Sequence, residues 1–547
     1  MSNDLEMLTF VNPATGEQFG QVAMASAQEV TEAVEEMRRS FEVWRRTSVK
    51  ERVRILRKLQ KLIIDSVDLI SETINQDTGK SRQDGMIEVF MMVDRLNQYC
   101  RRAPRWLRRR RVSPGLYIFK KCSTEPVPYG VVAVISPWNY PFDLMMSPMF
   151  SALLAGNTVV LKPSEVAGAS GVVIEKLVKQ IPELSPFVRV VHGDGRAGAA
   201  LVAARPDFVF LTGSTTTGHL VALEAAENMI PYAFELGGKD PLIVLEDADI
   251  DAAARWGTWG AFYNTGQTCQ AVERAYIVDS VYEEFLSRAI NYTKEFQYGY
   301  TAEKDTPFNL GPLTFERQKH IIEDHMADAL AKGAKVLIGG EIHDLFMEPT
   351  ILVDVNHSMK LMQDETFGPI LPIMKVKDED EAISMANDSY FGLSASVWSR
   401  DAAHAMRVAE RLDVGSVNVN DTVAHFAVPL LPFGGRKQSG DARIHGRQEV
   451  LQFTQFRSFS VGRPPLPFDI ATVLRQPGHY KLGVAVMHLA FGVTPKQRVQ
   501  PIAEEIHQFR EKREQEKRSS SRQGVFLAAG LMGAAAAMLF GLMRQRK

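Results

Sequence analysis

The chain reads as an α/β protein: parallel sheets covered by crossover helices, with a helical lead-in and an appended tail. Three observations carry that reading. From about 126 to 245, short apolar runs alternate with helical stretches: GVVAVIS, MFSALLAG, NTVVLKP, GVVIEKLVKQI, FVRVVHG, AGAALVAAR, FVFLTGS and GHLVALEAAEN. That rhythm is βαβα and calls for a parallel sheet. A second alternating stretch runs from about 270 to 435. Residues from about 27 to 100 carry apolar side chains at three- and four-residue spacing, so they read as helices, with Ser26 an N-cap. Near 461 the character changes: GRPPLPF marks a linker and a tail follows.

Composition narrows the function. At 547 residues, with 45% hydrophobic and 23% charged, the chain is long enough for several domains and a large core. A formal charge of −2 gives no footprint for nucleic acid, and none is expected as a partner. Three cysteines, Cys100, Cys122 and Cys269, are too few for a disulfide framework and fit a reducing compartment. Their spacing suggests no zinc, so no metal is expected. The opening MSNDLEMLTFVNPATGE lacks the basic and apolar regions of a signal peptide, and no solenoid repeat is evident.

Two glycine-rich turns compete for a nucleotide. Gly193-Asp194-Gly195-Arg196-Ala197-Gly198 is a formal GxGxxG between a predicted strand and helix, but LTGSTTTGH downstream offers no acidic partner at the expected distance. A tight strand-to-helix turn explains it equally. The second candidate is FVFLTGSTTTGHLVALEAAEN. There Gly213 lets the backbone approach a phosphate, Ser214 offers a hydroxyl, and the helix start offers free N–H groups. An ordinary N-capped helix gives the same pattern.

Three further stretches carry chemistry. AFELGGKDP places Glu235 ahead of Gly237-Gly238; a solvated turn residue is the plainer account. AFYNTGQTCQAVER surrounds Cys269 with small and polar residues, which favours an accessible thiol over a core cysteine, though an inert loop cysteine fits too. In ISPWNYPF two prolines bracket Trp138, Asn139 and Tyr140 and fix the backbone there.

Together these stretches resemble the aldehyde dehydrogenase superfamily. NPATGE, PWNYP, LKPSE, FLTGSTTTG, ELGGKDP, GQTCQAVER, DETFGPILP and LPFGGRKQSG occur in that family's order, from about Phe10 to Ser460. The resemblance implies a Rossmann-like NAD-binding domain (1–105 and 130–236), an α/β catalytic domain (237–430) and an oligomerisation arm (106–129 and 431–460). It implies an NAD(P)-dependent aldehyde oxidation in a homodimer or homotetramer. By position, Cys269 matches the nucleophile that forms a thiohemiacetal and then a thioester. Asn139 and the Cys269 N–H match the oxyanion donors, and Glu235 the base that activates the hydrolytic water. Lys162 and Glu165 match the adenosine-ribose contacts, Ser214 the pyrophosphate contact, and Glu365 and Phe367 the nicotinamide end. Ile135, Ser136, Trp138, Ser164, Gly195, Gly213, Gly218, Leu236 and Gly237 complete the implied cofactor set. A carboxylate at Glu165 would repel a 2′-phosphate, so NAD is expected ahead of NADP. Asp441-Ala442-Arg443 departs from the family's commonest pattern, and NVNDTVAHFAVPLLPFGG looks closest to the fatty-aldehyde branch. Rival readings are a CoA-acylating enzyme, against which Glu235 speaks, a succinate-semialdehyde or other short-chain enzyme, and a non-enzymatic scaffold.

The tail adds a membrane reading. Gly524–Met543 is twenty residues without a charge, about 30 Å as a helix, flanked by Lys512, Arg513, Lys517, Arg518 and Arg522 before it and Arg544, Arg546 and Lys547 after. A single-pass C-terminal transmembrane anchor with the catalytic body cytoplasmic is expected; a buried or disordered alanine-rich tail is the alternative. Residues 461–523 read as linker and charged helix, and LGVAVMHLAFGV within them as an interfacial, re-entrant or core-docking segment. RRAPRWLRRRRV packs seven arginines between Arg101 and Arg111, either a solvated helix end or a contact for anionic headgroups.

Overall fold

The computed structural model describes residues 6–115, 117, 120–462, 475 and 480–516. These fall into two compact units, Met1–Arg108 with Pro126–Gln455, and Arg109–Glu125 with Phe456–Lys547.

The first unit opens on an antiparallel hairpin, β1 (Met7–Val11) and β2 (Gln18–Ala23). Four helices follow: α1 (Ala27–Trp44), α2 (Val49–Asp65), α3 (Val67–Thr78) and α4 (Arg82–Trp106). Ser26 caps α1 in a capping box with Glu29, and Ser48 and Ser81 cap α2 and α4, each accepting a backbone N–H. The chain passes through β3 (Arg110–Val112) and β4 (Lys120–Pro128) and enters a parallel sheet. Its strands are β5 (Val131–Ile135), β6 (Thr158–Lys162), β7 (Val188–Val190), β8 (Phe208–Thr212) and β9 (Tyr232–Glu235), in the order β7-β6-β5-β8-β9. The crossover helices are α5 (Asp143–Ala155), α6 (Gly168–Lys179), α7 (Gly195–Ala203) and α8 (Thr215–Glu227).

The near-continuous apolar strands follow from burial on both faces. Val131 and Ala133 pack with Val30, Val34 and Met37 of α1, while Val132 and Val134 face Leu59, Leu96 and Met149. Strand order reverses between β5 and β8, and in such sheets ligands bind in the crevice at the carboxyl ends beside that switch. Ile135, Lys162, Thr212 and Glu235 all close their strands there.

A second, seven-stranded sheet has the order β12-β15-β16-β11-β10-β17-β18. Its strands are β10 (Asp240–Val244), β11 (Val272–Val278), β12 (Lys335–Ile338), β15 (Thr350–Val353), β16 (Ile370–Val376), β17 (Ser394–Trp398) and β18 (Ser416–Val419). A small hairpin of β13 (Ile342–His343) and β14 (Phe346–Met347) interrupts the series. Pairing is parallel except for β12 with β15. Helix α9 (Ile250–Phe262) crosses from β10 to β11 and ends just before the cysteine loop.

The segment assigned to the arm from 431 needs correction. Phe433, Ala442, Ile444, Val450 and Phe453 are buried in the core with α4 and α5, so apolar burial holds this stretch in the first unit. Only β19 (Thr454–Gly462) joins β4 and β3, in the order β19-β4-β3. The arginine cluster also divides. Trp106 is buried edge-on to Tyr99 at 5.3 Å, so it belongs to the core and not to a headgroup contact. Arg109 pairs with Glu125 at 2.8 Å and lies over the Phe459 ring at 3.9 Å. In the tail, Tyr480–Phe491 and Pro495–Glu516 are helices that pack on one another. Among the described residues no helix is long and apolar enough to cross a membrane. The expected span, 524–543, and residues 463–468 of the expected linker lie outside the described residues.

One buried carboxylate ties the unit together. Glu449, on the short helix Gly446–Gln452, accepts from the Tyr99 hydroxyl (2.6 Å), Ser147 Oγ (2.7 Å), Ser151 Oγ (2.8 Å) and the His445 N–H (2.6 Å). Glu449→Ala strands four buried donors on three segments and is expected to lower stability by about 3 kcal/mol or more. Urea unfolding followed by fluorescence reads this; a midpoint equal to the parent's would show that the network contributes nothing.

Candidate active site

The loop that carries Cys269 is held by its backbone. After α9, Asn264, Thr265 and Gly266 take left-handed φ values of 54°, 58° and 69° in succession. A Cβ on Gly266 would stand 2.1 Å from the Gly368 carbonyl oxygen, so glycine is required by conformation and by space. Gln267 is buried; its Oε1 accepts from the Thr314 N–H at 2.9 Å and its Nε2 donates to the Pro312 carbonyl at 3.3 Å. The small polar run is therefore a fixed turn, not a flexible one, and it presents Cys269 half-buried.

Asn139 comes to the same place from the first sheet. The Pro137–Pro141 turn between β5 and α5 buries its amide, and Nδ2 donates to the Gln267 carbonyl at 3.1 Å. An amide carries two N–H donors, so this bond uses one of them, on the loop that carries Cys269. The neighbouring Tyr140 hydroxyl meets Thr268 Oγ1 at 2.9 Å.

Glu235 ends β9 and is 1% exposed. Its Oε1 is a buried atom with no hydrogen-bond partner among the described residues. Burial, and secondly the charge of Asp240, raise its carboxyl to about 8. Glu365 is also raised to about 8, by burial and then by Glu273, although its Oε1 accepts from the Gly238 N–H at 3.0 Å. Asp240 follows suit, raised to about 8 by burial despite two bonds from Ser394. Burial first, then Glu235, Asp240 and Glu365, push the Cys269 thiol well above its ordinary value. At neutral pH the recess therefore holds thiol and carboxylic acid, and an ionised Glu235 is a strong proton acceptor within it.

The segment that departs from the family pattern braces this strand. Asp441 Oδ1 accepts from the Phe234 N–H at 3.1 Å, the Ala442 N–H donates to the Phe234 carbonyl at 2.9 Å, and the Leu236 N–H donates to the Ser439 carbonyl at 3.1 Å. β9 is a sheet edge, and these bonds cover it.

The remaining expected residues gather at the same sheet end. Lys162 Nζ pairs with Glu165 at 2.9 Å, Lys162 buried and Glu165 40% exposed. Ser214 caps α8, accepting from the Thr217 N–H at 3.2 Å, so its side chain is committed to the helix start. Ser136 Oγ donates to the Leu144 carbonyl and Ser164 Oγ accepts from the Val166 N–H, so both secure turns after β5 and β6. Ile135 is buried, and Gly218 packs against Leu236. Trp138 stands edge-on to Phe367 at 5.6 Å and to Phe315 at 5.0 Å. Gly237 leaves room for the Glu365 carboxyl, which lies where a side chain on that glycine would go. At the formal GxGxxG, the Asp194 carboxylate caps α7 itself, accepting from the Arg196 N–H at 2.9 Å. That turn already carries an anion at its helix start.

A nicotinamide dinucleotide fits these residues. The space over Gly195 is open, a Cβ on Gly213 would meet only Leu211 Cδ1 at 3.6 Å, the start of α8 lies at the switch point, and the buried orphan oxygen of Glu235 marks a recess without its full complement of partners. No group of metal-ligating side chains occurs among the described residues.

Sequence reasoning missed Lys80, Glu88, Lys239 and Glu273. Glu273 accepts from the Thr366 and Phe367 N–H groups at 2.8 and 2.9 Å, and pairs with buried Lys239 at 2.5 Å. It thereby holds the loop that carries Glu365. Lys239 and Glu273 stand inside quoted motifs; Lys80 and Glu88 left no signal beyond helical spacing.

Comparison with known proteins agrees with this geometry. The family model described as "Aldehyde dehydrogenase family" matches residues 1–459. A Methylomonas sp. protein named 4,4'-diapolycopene aldehyde oxidase is 42% identical over 464 residues, 84% of this chain and 86% of its own. The solved NADP-dependent glyceraldehyde-3-phosphate dehydrogenase of Bacillus halodurans C-125, complexed with NADP, superposes with a TM-score of 0.80 at 32% identity, over 84% of this chain and 96% of that one. Lactaldehyde dehydrogenase from Escherichia coli gives 0.80 at 30% identity, over 84% and 96%. The chain belongs to the aldehyde dehydrogenase family, and its class is that of the NAD(P)-dependent aldehyde dehydrogenases.

The raised Glu235 carboxyl sets a pH dependence. Only its ionised form accepts a proton, and that form accumulates as pH rises through about 8. Steady-state turnover limited by deacylation is expected to climb across that range, and Glu235→Gln to flatten the profile. A parent rate that is level from pH 6 to 9 would exclude Glu235 as the titrating base.

Proposed function

We propose that this enzyme oxidises hydrophobic, long-chain aldehydes to carboxylic acids. The observation that carries the chemistry is Glu235, buried at a strand end with its Oε1 unpartnered among the described residues and close enough to raise the Cys269 thiol. Cys269 Sγ attacks the aldehyde carbon as its proton passes to Glu235. The free Asn139 N–H and the Cys269 backbone N–H stabilise the resulting oxyanion, the thiohemiacetal. A bound nicotinamide supplies the acceptor for the hydride that leaves this carbon. Cys269 then holds the acyl group as a thioester, and Glu235, its carboxylate regenerated by loss of the proton to solvent, removes a proton from the attacking water. The acid leaves and the thiol is restored. Lys162, Glu165 and Ser214 hold the adenosine and pyrophosphate part of the cofactor, and Trp138, Glu365 and Phe367 the nicotinamide end. Glu165 disfavours a 2′-phosphate, so NAD is the preferred cofactor and NADP a weaker one.

Three observations support a hydrophobic substrate met at a membrane. The diapolycopene named in the relative is a hydrocarbon skeleton. Residues 524–543 carry no charge and meet the length of a span. In the tail, Tyr480, Met487, Phe491 and Val493 are exposed apolar side chains. On this reading the tail anchors a catalytic unit that stays on the cytoplasmic face. The arm offers strand edges and exposed Val112, Phe456 and Val461 to a second copy, which supports a homo-oligomer. Hydrolysis by Glu235 favours free acid over acyl-CoA as product.

Cys269→Ala is expected to abolish NADH formation while NAD still binds; residual turnover within about tenfold of the parent would overturn the covalent mechanism. An aldehyde panel from acetaldehyde to hexadecanal, run with both dinucleotides and analysed for acid and acyl-CoA, tests chain length, cofactor and product together. Deleting 524–547 is expected to release the protein from vesicles in flotation. Turnover of short aldehydes should be unchanged and that of vesicle-borne long ones reduced. Failure of the full-length chain to float would remove the anchor.

A further inference from the structure

The mechanism gives no task to the buried ion pair of Lys80 and Glu88. Lys80 follows α3 and is 5% exposed; Glu88 lies on α4 and is 1% exposed. Their charged atoms approach to 3.4 Å. Burying such a pair costs desolvation on both sides, and breaking it leaves an uncompensated charge, so its partners are informative. Lys80 Nζ donates to the backbone carbonyl of Asn139 at 2.6 Å and sits over the Tyr140 ring, 4.3 Å from its centre. Glu88 Oε1 accepts from the Phe142 and Asp143 N–H groups, at 2.7 and 2.9 Å, where α5 begins. The pair thus grips both ends of the turn that carries Asn139.

The same contacts close a ring around the nucleophile loop. Asn139 Nδ2 donates to the Gln267 carbonyl at 3.1 Å, and Gln267 Nε2 to the Pro312 carbonyl at 3.3 Å. Gly79, beside Lys80, has a φ of 73°, and a Cβ there would stand 2.3 Å from Pro312 Cγ. Thr265 Oγ1 donates to the Gly311 carbonyl at 2.9 Å. Asn264 Nδ2 spans the gap, donating to the Gln267 carbonyl at 3.0 Å and the Asn139 carbonyl at 3.4 Å. Lys80 is the cation in this ring, and its ammonium is the shortest link from the helical lead-in to the oxyanion donor.

We infer that Lys80, held by Glu88, is a positioning residue for the oxyanion site: it fixes the Asn139 backbone so that the free amide N–H meets the developing charge on the adduct. The inference rests on the reading that Asn139 stabilises that charge. Lys80 touches neither substrate nor cofactor in this role and acts only through Asn139.

The test is a double-mutant cycle on Lys80→Met and Asn139→Ala, read as the pre-steady-state burst of NADH, with NAD affinity measured beside it. Lys80→Met is expected to slow the burst by about ten- to a hundredfold, the scale of a misplacement of about 1 Å. NAD affinity should stay within about twofold, and the double variant should be no slower than Asn139→Ala alone. Glu88→Gln, which keeps the shape of the pair, should slow the burst less and show the same non-additivity; it carries the test if Lys80→Met does not fold. A parent-like burst in both charge variants, or a double variant slowed by the product of the single effects, overturns the inference. If Asn139→Ala itself keeps a parent-like burst, the oxyanion reading fails and this one with it. If Asn139→Ala loses the burst while the charge variants keep it, this inference alone fails.

Discussion

A carboxyl group buried to 1% exposure beside a thiol, one oxygen without a hydrogen-bond partner among the described residues, is expensive to hold in one place, and Glu235 is that group. In water it would ionise at an ordinary pH and drift; here burial raises it to about 8 and the strand fixes its position. That requirement reaches outward. β9 is a sheet edge, so Ser439, Asp441 and Ala442 cover it with backbone and side-chain bonds. The next buried charges, Asp240 and Glu365, are each tied to a backbone N–H, and Glu273 with Lys239 holds the loop behind them.

The two sheets make this possible by meeting at their ends. Cys269 arrives on a turn after α9, Asn139 on a turn after β5 and Glu235 at the end of β9. No two of them are neighbours in sequence. Their approach depends on places where backbone must touch backbone, as at Gly266 against the Gly368 carbonyl. Three proline-bracketed residues and three successive left-handed ones give the site little freedom to relax, which suits chemistry that relies on donors already in place.

Much of this was legible in the sequence. The alternating apolar runs marked β5, β6, β7 and β8 and the helices between them, because strands covered on both faces must be apolar throughout. Cys269, Asn139 and Glu235 stood in motifs whose order carried their roles, and the resemblance, not their spacing, assigned those roles. Ser26 announced its helix through a local bond to Glu29. Other features had no local signature. Residues 431–453 read as arm, but their apolar side chains find the core between α4 and α5, a fact of packing. The small, polar residues of the cysteine turn pointed to an accessible thiol; that bonds from Gln267 to a segment more than forty residues away fix the turn had no local sign.

What the sequence determined by itself was the class of fold and the family, because periodicity and motif order are local properties of the chain. Tertiary structure alone decided which ionisable groups are buried and what they face. Lys80 and Glu88 look like two charges on a solvated helix face until α4 and α5 close over them. Glu235 looks like a turn carboxylate until the strand end buries it to 1% exposure. Desolvation depends on every element packed around a group, and no window of sequence contains them all.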